Sequence, residues 1–224
     1  MKVTIQIVFI FFCIALISQF TNLDLMISNL FYVEDQSFIL QGANKSLAMQ
    51  LHDYPKFLSM GVAILFWLAS LSILIFKFNP LKCYFKNTEV LFVSLASILI
   101  PIIIWFVRES SAMHCPRDLL VYGGDYAYLR IFDAIPNNWE YGQCAPSAHA
   151  SSFLWLSIIL FIKKSSKTMW TLYYIGIFTL CSVQIMRGAH FFSHILYSFL
   201  IGHLISYLLF IIAKEMRNIK LNKA

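Results

Sequence analysis

Residues 89–107 read EVLFVSLASILIPIIIWFV. One charge, Glu89, opens the stretch, and everything after it is apolar, small or proline. A buried strand occupies only about 4–8 residues, so a run of this length points to a helix. The hydrocarbon core of a bilayer takes roughly 20 helical residues to cross. In lipid the backbone must satisfy its own hydrogen bonds, which an open sheet edge cannot do. The stretch therefore predicts a membrane-spanning helix.

Working outward, five further apolar stretches lie at 3–20, 57–76, 149–162, 169–186 and 190–213. The expected architecture is an all-α integral membrane bundle of six transmembrane helices, a single domain over 1–224. The stretch at 149–162 is the shortest, and its first turn belongs at the interface. The first stretch follows Lys2 as a leader would, but it is as long as a full span and no small-x-small site follows it cleanly. It is expected to be retained as a helix. Composition agrees with a lipid environment. The chain is 59% hydrophobic and 12% charged, against about 45–50% and about 25% in soluble domains.

Charge orients the bundle. Eleven of the 17 Lys and Arg residues (Lys2, Lys77, Lys82, Lys86, Lys163, Lys164, Lys167, Lys214, Arg217, Lys220 and Lys223) fall on one side of the predicted spans. The other side holds Lys45, Lys56, Arg108, Arg117, Arg130 and Arg187, with nine of the eleven acids. The first side is expected to be cytoplasmic, with both termini there. The net charge of +6 thus reports membrane orientation and not nucleic-acid binding.

The outer side carries the two long connections, about 21–56 and 108–148. The first holds scattered polar and aromatic residues, with an expected short interfacial helix near 46–55, and nothing in it spells chemistry. The second holds HCPRDLLVYGGDYAYLR, PNNWEYGQ and CAPSAHASS. Long loops are usually functional or disordered.

Four of the six histidines, His114, His149, His190 and His194, lie within about a turn of a predicted outer boundary, at the level of Arg108 and Arg187. A lone cation at a helix end is often a snorkelling anchor. Cations and histidines from three helix mouths at one depth describe an anion pocket better. In CAPSAHASS, Pro146 and Ser147 fit a helix start. Free N–H groups around Ser147 and Ala148 favour an anion, and His149 there can protonate a leaving oxygen. The plainer reading is a capped helix with an interfacial histidine. In RGAHFFSH, 187–194, His190 and His194 stand i, i+4 on one helix face. One can attack while the other fixes its tautomer, or both can bind a metal. Gly188 and Ala189 permit close backbone approach. His203 is expected to make a polar contact inside the bundle.

RESSAMHCP (108–116), CAPSAHASS (144–152) and RGAHFFSH (187–194) resemble, in order and rough spacing, the three motifs of the type 2 phosphatidic acid phosphatase (lipid phosphate phosphatase) superfamily. The resemblance covers 108–194 by motif and the rest by topology. It looks like a divergent bacterial branch. Arg108 stands where the family has Lys, Cys115 where it has Arg, Ala148 where it has Gly, and His194 where it has Asp. The family's other Arg falls at Gln184, with Arg187 one turn away. His114 or Arg117 stands near enough to supply the charge lost at Cys115.

The resemblance implies a phosphatase acting on a lipid phosphate or pyrophosphate at the outer face of a bacterial inner membrane, with lipid A, undecaprenyl diphosphate and glycerophospholipid phosphates all open. His190 would attack phosphorus and become phosphohistidine, and His194 would orient it. His149 would protonate the leaving oxygen and then activate water. Arg108, Arg187 and the N–H groups of Ser147 and Ala148 would hold the equatorial oxygens, the charge stabilisation that carries such catalysis. No metal or other cofactor is implied, and the partners are the lipid substrate and the bilayer. A non-catalytic lipid-phosphate binder and a histidine metal site remain alternatives. Cys115 and Cys144, both on the outer side and each beside a motif, are candidates for a disulfide, which an oxidising compartment permits, the plainer reading being two unrelated thiols. Cys13 and Cys181 lie in apolar spans, and Cys83 on the reducing side.

Overall fold

The computed structural model describes residues 2–33, 37–41 and 45–221. Its helices are α1 (Lys2–Phe20), α2 (Leu23–Asn29), α3 (Lys45–Phe76), α4 (Asn87–Glu109), α5 (Ala148–Leu154), α6 (Ser157–Ile162), α7 (Lys167–Met186) and α8 (Phe192–Leu221). A two-residue antiparallel pairing, β1 (Tyr32–Val33) with β2 (Ser37–Phe38), interrupts the first outer connection. The apolar stretch at 89–107 is α4, helical straight through Pro101.

Among the described residues, four helices are long and apolar enough to cross a membrane: Asp53–Phe76, Asn87–Glu109, Lys167–Met186 and Phe192–Met216. Val8–Phe20 and Leu23–Asn29 form a pair bent by 84°, and make a fifth crossing if the pair is one span. The six expected stretches fall on helices, except that residues 190–191 precede α8, and two differ from simple spans. The run at 149–162 is broken at Trp155–Leu156 into two short helices. Ser151 and Ser157 hydroxyls bond back to the carbonyls of Ala148 and Leu154, at 2.5 and 2.7 Å, a contact that bends helices. The interfacial helix expected near 46–55 is not separate. It runs through Pro55 into α3.

α8 lies at the centre and packs on α1, α4, α5 and α6. Its approach to α5 needs Gly202, where a Cβ would come within 2.8 Å of the Leu154 side chain. The core is aliphatic and aromatic, built around Ile100, Leu154, Trp155, Leu196 and Phe199. Lipid tails are as apolar as leucine, so polar contacts between helices carry specificity. Ser70 bonds Ser94 at 2.7 Å and the Trp67 indole donates to Ser97 at 2.8 Å, joining α3 to α4. Ser157 bonds Ser206 at 2.8 Å. His203 bridges Tyr174 of α7 and the Phe199 carbonyl, both at 3.0 Å, and is thus a contact inside the bundle. At the lysine-rich end, Lys163 pairs with Glu89 at 3.7 Å.

At the other end the two long connections fold over the helix mouths. Residues 110–147 hold two single 3-10 turns, Pro116–Asp118 and Leu120–Tyr122, and no helix longer than these. Phe38 sits at 1% exposure among Tyr32, Tyr122, Leu119 and Phe191. The first connection, which carried no chemical signal, is therefore a wall of the region where the motifs meet.

Candidate functional site

α7 ends at Met186, and a tight turn carries the chain through Arg187–Phe191 before α8 begins at Phe192. His190 is therefore not on a helix face with His194. The turn closes through the Gln184 carbonyl, which accepts from the backbone N–H groups of Ala189 at 2.9 Å and His190 at 3.3 Å. Gly188 makes it possible, with φ of +64°. Nor does Gly188 leave room for a ligand. A Cβ there would stand 2.3 Å from the Phe38 ring, so that aromatic occupies the space.

The turn still brings the two histidines together. Their rings lie 6.0 Å apart, edge to face, with His190 8% and His194 1% exposed. The tautomer of His190 is set elsewhere. Its Nδ1 lies 3.0 Å from the Cys144 carbonyl oxygen, which can only accept, so Nδ1 carries the proton and Nε2 the lone pair. The i, i+4 spacing predicts this orienting task for His194, but a backbone carbonyl performs it. Among the described residues, His194 Nδ1 is buried with no hydrogen-bond partner.

Cys144 is held in turn. It is bonded to Cys115, with Cα atoms 5.2 Å apart, and its sulfur lies 3.5 Å from His190 Nδ1. The disulfide joins the first motif to the second against the third. His149, at the start of α5, is buried with its ring edge against Phe153 at 5.6 Å.

Burial pushes His190 well below the usual 6.5, and the nearby charges of His194, Arg108 and His149 add to the effect. A neutral imidazole with a free Nε2 lone pair is the state a nucleophile needs.

The expected anion ligands divide. Ser147 turns inward: its N–H donates to the His194 carbonyl at 3.0 Å, and its hydroxyl caps α5 by accepting from the Ala150 N–H at 3.4 Å. The Ser147 N–H thus joins the first turn of α5, which begins at Ala148, to α8 instead of facing a ligand. Arg108 is half-buried, and its Nε donates to the Gln143 carbonyl at 2.5 Å, holding the 143–144 segment beside His190. Arg187 is half-buried and reaches Gln184 Oε1 at 3.5 Å. Its pKa is lowered by burial and by the neighbouring Arg117 charge, and supported by Asp53. The Arg117 backbone N–H donates to the Gly188 carbonyl at 3.0 Å, while its guanidinium pairs with Asp118 at 3.6 Å. His114 points elsewhere. Its Nε2 bonds the Glu140 carbonyl at 2.8 Å and its ring stacks on Tyr126 at 3.6 Å, away from the histidine pair.

Three features escaped the sequence reading. Asp24, 3% exposed, accepts from the N–H of Ser193 at 2.9 Å and from its hydroxyl at 2.5 Å, and so holds the start of α8. An acid one turn beyond an apolar helix was the only signal. Tyr128 and Arg130 link that corner to the second connection, Tyr128 donating to Asp24 at 3.3 Å and Arg130 to Asn22 at 2.6 Å. Finally, a cavity of about 400 Å³ opens between the ends of α4 and α8. Val107, Met113, Ile131, Pro146, Tyr197 and Leu200 line it, and Ala145–Pro146 places its wall one residue from Cys144.

Fold and site together define a helical multi-pass membrane protein with a buried histidine cluster at one end of the bundle. No family model, curated protein or solved structure matches the chain.

Proposed function

We propose that this chain is a membrane lipid phosphatase of the type 2 phosphatidic acid phosphatase superfamily, hydrolysing a phosphate monoester or pyrophosphate of a lipid through a phosphohistidine. The observation that carries the reading is the hydrogen bond from His190 Nδ1 to the Cys144 carbonyl, which leaves Nε2 as the lone pair. Nε2 attacks phosphorus, and the N–P bond forms as the bond to the lipid oxygen breaks. Protonated His149 gives that oxygen its proton. Neutral His149 then takes a proton from water as the water oxygen attacks the phosphohistidine, releasing phosphate and restoring His190. Arg108 and Arg187 supply positive charge at this end of the bundle. The apolar cavity beside Pro146 supports a lipid over a soluble phosphate, since it gives an alkyl chain a place next to the cluster.

In this reading α1–α2 and α5–α6 each make one irregular crossing, which brings the bundle to six. The lysine-rich end and both termini face the cytoplasm, and the cluster faces the periplasm of a bacterial inner membrane. The test is a panel of lipid phosphates, lipid A, undecaprenyl diphosphate and phosphatidate among them, assayed with the wild type and His190→Ala in detergent. Phosphate release by the wild type that persists in His190→Ala ends the covalent mechanism. A second reading, a non-catalytic binder of lipid phosphates, is favoured by Cys115 standing where the family has Arg and His194 where it has Asp. It predicts saturable binding with no phosphate released from any member of the panel.

A further inference from the structure

Among the described residues, Cys115, Cys144 and His190 bring three potential ligand atoms within 4.8 Å of one another. In the structure the two sulfurs are bonded to each other. Around a tetrahedral zinc with Zn–S of about 2.3 Å, two sulfurs stand about 3.8 Å apart. The backbone already holds the three residues at that scale. Cys144 Sγ lies 3.5 Å from His190 Nδ1, and the Cα atoms of the two cysteines lie 5.2 Å apart. Separating the sulfurs is the movement required. The disulfide and a metal ion thus compete for the same pair of sulfurs.

We infer that Cys115, Cys144 and His190 form a site with two exclusive states: a disulfide, and, after reduction by a dithiol, a Cys2His site for a soft divalent metal such as zinc. The dithiol gives two electrons and two protons to the S–S bond. Its own sulfurs join as a cyclic disulfide, and two cysteine thiols form. Zinc then binds both sulfurs and releases both thiol protons. Two thiolates cancel the charge of the ion, so the loaded site is neutral, which suits burial and a position near Arg108. Thiolate and imidazole donors with an open fourth position are a zinc set.

The chemistry of His190 follows from its tautomer. A neutral imidazole carries one ring proton. Metal at Nδ1 displaces the bond to the Cys144 carbonyl and moves that proton to Nε2, which removes the lone pair. Zinc and phosphoryl transfer are then mutually exclusive. This consequence rests on the phosphatase reading, whereas the binding itself does not.

The test uses the full chain in detergent with Cys83→Ser, which removes the exposed free thiol. Oxidised and phosphine-reduced samples are equilibrated with zinc, desalted and assayed for bound metal. Cobalt replaces zinc in a parallel set to report thiolate charge-transfer bands, and far-ultraviolet circular dichroism follows the helices. The expected result is about one ion per reduced chain and none per oxidised chain, with affinity falling roughly tenfold or more in Cys115→Ser and in His190→Ala. A reduced chain that binds no zinc overturns the proposal. So does equal binding by His190→Ala, folded or not, because a loose pair of thiols needs no histidine. Whatever lipid phosphate hydrolysis the reduced samples retain should stop with zinc and return with chelator. Zinc binding with no hydrolysis in any sample would remove the phosphatase reading and leave the metal site standing.

Discussion

His190 donates its Nδ1 proton to the carbonyl oxygen of Cys144, 3.0 Å away in space and 46 residues away in sequence. Cys144 cannot move independently, because its sulfur is bonded to Cys115 and the preceding Gln143 carbonyl accepts from Arg108. The ring on which the proposed chemistry depends is thus oriented by backbone that a disulfide and an arginine hold in place.

On that chemistry, His190→Ala should reduce phosphate release from the best lipid substrate to background. His149→Ala should lower kcat by about 10²–10⁴-fold, the usual contribution of a general acid–base. Single-turnover quench experiments check the assignment. His149→Ala should still form phosphohistidine from an activated aryl phosphate, whose leaving oxygen needs no proton, and His190→Ala should not.

The acid limb of kcat/KM set by His190 should lie below pH 6.5, because burial and the surrounding charges keep it neutral to lower pH. Arg108→Gln removes one of those charges and should move the limb upward. A pH–rate profile of the two proteins tests this apart from any change in KM. Stability carries the same sign. The unfolded chain takes up the His190 proton first, so this contribution is present above about pH 6.5 and is lost as pH falls from there toward the lowered folded value.

Cys115→Ser opens a loop between residues separated by 29 positions. Loss of that constraint should cost roughly 3–4 kcal/mol in the chain-entropy account. The unfolding midpoint of the variant in detergent should fall accordingly, and reductant should lower the wild type while leaving the variant unchanged.

Gly188→Ala should destabilise by about 1–2 kcal/mol for the positive φ alone, with a further overpacking cost against Phe38 of about 1–3 kcal/mol. Thermal unfolding of Gly188→Ala, Phe38→Ala and the double variant separates the two. Phe38→Ala should recover the overpacking share and none of the backbone share.

Asp24→Ala leaves the Ser193 N–H and hydroxyl without their acceptor at the start of α8. An orphaned buried donor costs about 1–3 kcal/mol. Asp24→Asn keeps one oxygen acceptor and should lose less. Hydrogen exchange at the first turn of α8 should rise in Asp24→Ala more than in Asp24→Asn.

The amino-acid pattern carried the membrane class and the helical content. Runs such as 89–107 are too apolar for water and too long for strands, and lipid leaves the backbone only its own partners. It also singled out His149, His190, His194, Arg108 and the cysteine pair, since charged and titratable residues at helix mouths stand out against an apolar chain. How these groups are used depends on contacts between distant parts of the chain. The i, i+4 spacing of His190 and His194 predicted one helix face, but Gly188 at positive φ ends the helical path before His190. The spacing could not reveal that the Cys144 carbonyl, Asp24 and Phe38 would arrive from other parts of the chain. A carbonyl has no sequence signature, and an acid or a phenylalanine becomes a cap or a wall only when another helix brings its partner within reach.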